Sequence, residues 1–135
     1  MNNETIDVLG WGRAFAGPAA LLVSKAFKIK ERWDDRARRP HRLAHKDAGD
    51  VYRIMSATAA AEVAASFTSL IIDPRVGRTT DMGLRYLREL FGGADTPGVR
   101  MAVESMAGDV PPSRIRALAP AFTNRLPRPN SLDKL

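Results

Sequence analysis

Cysteine is absent from all 135 residues. That excludes a disulfide framework, thiolate zinc sites and cysteine nucleophiles, and it points to an intracellular compartment. Also missing is an apolar run approaching the roughly 20 residues of a membrane helix. The stretch from Ala14 to Val23 is soon followed by Lys25, Lys28 and Lys30. It lies far from a charged N-terminus and lacks a cleavage context, so no signal peptide is expected. The expected location is cytoplasmic, without membrane contact. Neither a βαβ alternation nor a fixed-period repeat is present. What remains is a chain of 44% hydrophobic and 27% charged content, long enough to bury a core as one domain.

The net charge is +6, and its location matters more than its size. Residues 25 to 46 hold nine Lys/Arg (Lys25, Lys28, Lys30, Arg32, Arg36, Arg38, Arg39, Arg42, Lys46) against Glu31, Asp34 and Asp35. Nine minus three accounts for the whole excess, and the other twelve bases and twelve acids cancel. Any attraction for polyanions is therefore concentrated in this one segment.

Gly17-Pro18, followed by Ala19, Leu22, Ala26, Ile29 and Trp33, predicts a helix over about 18–33. Lys25, Lys28 and Arg32 form its basic stripe, with Lys25 and Arg32 pointing the same way about 10 Å apart. Residues 34–45, with Pro40, read as a loop, and Asp47 opens a second helix in which Gly49 is a weak point. Asp47 and Asp50 share a face of its first turn, where acids suit the helix dipole. A third helix spans Ala59 to Ile72 and stops at Asp73-Pro74. A fourth is expected to be capped by Thr79 or Thr80 and ended by Gly92-Gly93, and Thr96-Pro97 starts a fifth. The last begins near Pro111 or Pro112, buries Ile115, Leu118, Phe122 and Leu126, and is expected to bend at Pro120.

The expected architecture is all-α, an array of five to six short helices with at most one short N-terminal strand between Thr5 and Phe15. In outline, residues 1–16 are an extension carrying that remnant strand, 17–126 the helical domain and 127–135 a disordered tail.

Pro18, Ala19, Leu21, Leu22, Lys25, Arg32, Lys46, Asp47 and Asp50 follow the order Pro-Ala-x-Leu-Leu-x-x-Lys, Arg seven residues on, then Lys-Asp-x-x-Asp. This segment, about a third of the chain, resembles the AbiEii-type nucleotidyltransferases, some of which are toxins of toxin-antitoxin pairs. The resemblance implies a polymerase-β-like transfer from a nucleoside triphosphate with Mg, Lys25 on phosphate and Asp47 supporting the active site. Lys25 and Asp47 are then the catalytic candidates, and Lys25, Arg32, Lys46 and Asp50 the nucleotide-binding ones. The family's Gly-rich turn and Asp-x-Asp-like metal pair have no counterpart, since only Glu4 and Asp7 precede Gly17 and Gly10-Trp11-Gly12 is isolated. The expectation is a truncated or split member, without a metal site or cofactor of its own and inactive alone. Its expected partner is a separately encoded catalytic half or an antitoxin.

Plainer readings apply to the same residues. Lys25 and Arg32 suit a solvated helix face, Asp47 and Asp50 suit a helix start, and His41 and His45 suit a solvated loop rather than a metal site. The alternative function is a small basic helical protein that binds RNA, DNA or an acidic partner through residues 25–46. Its phosphate contacts would be Arg36, Arg38, Arg39 and Arg42, and Trp33 or Tyr52 would stack. Self-association is expected through exposed apolar surface at Val8, Trp11, Phe15 and Leu21.

Overall fold

A computed structural model describes residues 17–129. The strand expected before Phe15, the residues Val8, Trp11 and Phe15, and positions 130–135 of the tail lie outside that range. The described chain is all-α. Its helices are α1 (Pro18–Asp34), α2 (His45–Ala57), α3 (Ala60–Ile71), α4 (Gly77–Phe91), α5 (Pro97–Ser105) and α6 (Pro112–Thr123), with a single 3-10 turn at Pro40–Arg42. No single described helix is long and apolar enough to cross a membrane.

Helix α1 starts as its sequence dictates. Gly17 sits at φ 139°, a conformation that side chains resist, and Pro18 supplies the pre-set φ of a first turn. Ala19, Leu22, Val23, Ala26 and Ile29 then face the interior. They pack mainly on α4, while α2 lies along α5 and α6 closes over α2, α4 and α5. One continuous core results, with Phe67, Phe91, Met55, Leu84, Leu87 and Ile115 among its fully buried members.

Two glycines set how close these pairs come. A Cβ on Gly83 of α4 would lie 2.8 Å from both Val23 methyls on α1, and a Cβ on Gly49 of α2 would lie 2.7 Å from Ser105 Oγ on α5. Gly49 is therefore a contact point of two helices rather than a weakness of one.

Several expected details are different in the structure. Helix α2 begins at His45, two residues earlier than its acids suggest, with Ala48 N donating to Ala44 O at 3.0 Å. Helix α4 begins at Gly77, so neither Thr79 nor Thr80 caps it. Thr80 is buried within the helix and its hydroxyl donates back to Val76 O at 2.8 Å. Thr96 is the N-cap residue of α5, as expected, but its hydroxyl makes no cap bond, because its one O–H is shared between the carbonyls of Leu90 (2.7 Å) and Gly93 (2.9 Å) and ties the loop back to α4. Pro120 lies inside α6 without interrupting it. Beyond that helix, Leu126 is buried and its carbonyl accepts from Arg88 Nη2 at 3.1 Å. Leu21 is only partly exposed, and the large apolar side chain most open to solvent among the described residues is Ile72, 79% exposed after α3.

The Gly83 contact gives a clear expectation. Alanine normally favours a helix over glycine by up to about 1 kcal/mol. Here its methyl would overlap the fully buried Val23, and forced overlap costs about 1–3 kcal/mol. Gly83→Ala should therefore lower stability by about 1–2 kcal/mol net, measured as a fall in the urea midpoint. A gain in stability would show that α1 and α4 lie further apart.

Candidate functional site

The polar set converges where the exposed side of α1 meets the first turn of α2. Lys25 and Lys28 are three apart on one helix, and Asp47 and Asp50 are three apart on the other, so matching rows face each other. Lys25 Nζ donates to Asp47 Oδ1 at 2.9 Å and to Asp50 Oδ2 at 3.1 Å. Lys28 Nζ lies 3.1 Å from Asp47 Oδ2, and Arg53 Nη1 lies 3.4 Å from Asp50 Oδ1. Each carboxylate oxygen of Asp47 therefore has its own lysine. The pairing is set into the protein, with the Asp47 side chain only 10% exposed and that of Lys25 24%.

Burial opposes the charge on both members, and the partners outweigh it. Partial burial alone would raise the Asp47 pKa, but hydrogen bonds and charge from Lys25 and Lys28 bring it below the ordinary 3.8. Partial burial would likewise lower the Lys25 pKa, but Asp47 and Asp50 raise it above 10.5. At neutral pH Lys25 and Asp47 therefore form an ion pair. Asp47 is consequently a poor general base, and with both oxygens on lysines it is a poor ligand for a divalent ion. No group of three or more potential metal ligands occurs among the described residues.

The network forms one wall of an open cleft of about 650 Å³ along α1. Ser24, Lys28, Arg32 and Tyr86 of α4 line it as well. Arg32 Nε is buried there without a hydrogen-bond partner among the described residues. At the far side Lys30 binds Glu89 at 2.6 Å and Asp34 at 3.1 Å, and Phe27 meets Tyr86 edge to face with centroids 5.2 Å apart. Of the nucleotide-binding candidates, Lys25, Asp50 and Arg32 thus gather at or beside this cleft. Lys46 is not brought in, being exposed on α2 and no part of the lining.

The arginine candidates divide in two. Arg38, Arg39 and Arg42 line a second cleft of about 510 Å³, into which Arg32 also reaches. Arg36 stands apart, its guanidinium 3.7 Å from the Trp33 ring centroid and its Nη1 donating to Trp33 O at 2.8 Å. It covers the end of α1 and one face of the indole. Tyr52 is 4% exposed and packed in the core, which removes it as a stacking platform. His45 Nε2 lies 3.3 Å from Glu104 Oε2, and His41 is exposed.

Tyr86 and Glu89 carried no signal in the sequence. They enter the site only because α4 packs on α1, whereas the Lys30 to Asp34 pair had a readable i,i+4 spacing. No family model matches the chain, and neither a curated protein nor a solved structure matches it.

The pH dependence follows from the two shifts. Asp47, with a lowered folded pKa, contributes stability above pH of about 4 that is lost as pH falls through that pKa. Lys25, with a raised one, contributes below pH of about 10.5 and loses it as pH rises through its folded value. Asp47→Asn should cost about 1–3 kcal/mol at pH 7. The variant should also lose less stability than the parent between about pH 4 and pH 2 in urea titrations. Equal acid limbs in the two proteins would show that Asp47 is not held by its lysines.

Proposed function

We propose that this chain is the helical, nucleotide-facing part of an AbiEii-type nucleotidyltransferase and is inactive alone. The observation that carries this reading is the convergence of Lys25 with Asp47 and Asp50, residues 22 and 25 positions away, at 2.9 and 3.1 Å. Three motif members, Lys25 on α1 and Asp47 and Asp50 on α2, meet side chain to side chain beside an open cleft.

The geometry refines each role. A lysine ammonium has three donors, and two of those on Lys25 are taken by carboxylates. The third is free for a phosphate oxygen, so Asp47 and Asp50 act by aiming Lys25 rather than by reacting. Lys28 and Arg32 add cationic charge along the same wall, and Arg32 brings a forked donor suited to phosphate. A developing negative charge on a triphosphate would be stabilised by these fixed positive groups.

Asp47 and Asp50 are committed to cationic side chains rather than to a divalent ion. Asp47 is paired at both oxygens, and Asp50 bonds Lys25 through Oδ2 and meets Arg53 through Oδ1. In this proposal the metal-holding acids belong to the catalytic half, and this chain binds and orients phosphate.

Titration of the chain with ATP or GTP should give saturable binding, weakened about tenfold or more by Lys25→Met and by Lys28→Gln, as expected for loss of a charge-assisted hydrogen bond. Magnesium-dependent transfer of labelled nucleotide to RNA by the chain alone should be undetectable. Robust transfer would refute the claim of inactivity. Absence of triphosphate binding would refute the nucleotide-facing role.

A further inference from the structure

The second cleft lies just past the first, where α1 ends and the 35–42 segment turns back. Backbone bonds hold this segment in successive turns, Arg38 N and Arg39 N on Asp35 O, Arg42 N on Arg39 O and Leu43 N on Pro40 O. The turns present Arg38, Arg39 and Arg42 to one space, and Arg32 reaches it from α1. Four guanidinium groups thus border about 510 Å³.

Their own partners are few. Asp35 approaches Arg38 and Arg39 only at 3.7 and 3.6 Å, too long for a good hydrogen bond, so their donors remain open. Arg42 and Arg32 have no side-chain partner among the described residues, and Arg32 Nε is buried unsatisfied. The negative end of α1 does not cancel the site, because Arg36 covers Trp33 O and Arg32 sits in the last turn.

We infer that this cleft is a phosphate site in its own right, built for the terminal phosphate or diphosphate of a small ligand and separate from the Lys25 network. Guanidinium forks match phosphate oxygens in pairs, and a compact dianion or more highly charged group can use several forks at once. A passing phosphodiester strand is less well served. Glu31, Asp34 and Asp35 also stand in the lining and leave no continuous cationic track for successive phosphates, while the four arginines share one space. The inference holds whether or not the first cleft binds a nucleotide.

Calorimetric titration of the full chain with inorganic pyrophosphate, at constant ionic strength set with sodium chloride, tests it. The expected result is a saturable site that is weakened about tenfold or more by the double variant Arg39→Gln/Arg42→Gln and kept in Lys25→Met, any second site lost in Lys25→Met being the first cleft. Arg114→Gln, which removes an exposed charge on α6, should leave it unchanged. Thermal melts of each variant separate lost binding from lost folding, and the double variant alters no core side chain. No saturable binding overturns the inference. So does binding that is lost in Lys25→Met and kept in the double variant, which would put the anion in the first cleft. A single strand of about twelve nucleotides binding ten times more tightly than pyrophosphate, with a steep salt dependence, would overturn it by giving this face to a strand.

Discussion

A lysine held between two carboxylates joins the segments from which both clefts are built. Lys25 on α1 and the Asp47/Asp50 pair on α2 are separated by the whole arginine-rich turn, and their bonds close that turn into a loop of fixed ends. Backbone bonds on Asp35, Arg39 and Pro40 shape the turn from the α1 side, and this junction pins its other end at α2. The junction is also selective about charge. A partly buried ammonium facing one acid would hold a single bond, while facing two acids and sharing one of them with Lys28 it forms a network. Such networks cost desolvation and gain in geometric definition. Here the definition is what matters, since the cleft wall consists of the same atoms.

The rest of the fold serves to keep α1 in place. Its buried side rests on α4 at a near-backbone approach, with Gly83 against Val23, and α4 in turn is fixed by α3, α5 and α6. The polar side of α1 is thereby left open along most of its length. A helix with one side locked in the core and the other lined by lysine and arginine presents its cations without having to order them on binding, which reduces the entropy a ligand must overcome.

Much of this was legible from residue spacing, and the limits are physical. Helix α1 was readable because Gly-Pro marks its start and apolar residues recur at helical intervals, and the all-α class followed from five more segments of the same kind. The meeting of Lys25 with Asp47 and Asp50 was suggested by the motif alone, since periodicity puts them on two helices and says nothing of how those helices cross. The threonine cap bonds failed because a hydroxyl can bond backward as easily as forward. Thr80 returns to Val76 and Thr96 to Leu90, and only the three-dimensional path of the chain decides which carbonyl is nearer. Gly49 looked like a local defect because its reason is 56 residues away, at Ser105. Tyr86 and Glu89 were invisible for the same cause, and so was the division of the arginines, in which Arg36 closes a helix end while Arg38, Arg39 and Arg42 face a cleft.

Arg32 borders both clefts, and its single positive charge cannot be directed fully into each at once. If an anion in one cleft draws the guanidinium toward itself, the other cleft loses affinity, and linkage requires the loss to be the same factor in either direction. One side chain thus makes the two spaces thermodynamically aware of each other without any movement of the helices. The sign of that coupling is negative. An occupant of the arginine turn would act as an antagonist of whatever lies beside Lys25, and the seven-residue spacing of Lys25 and Arg32 would set how strongly.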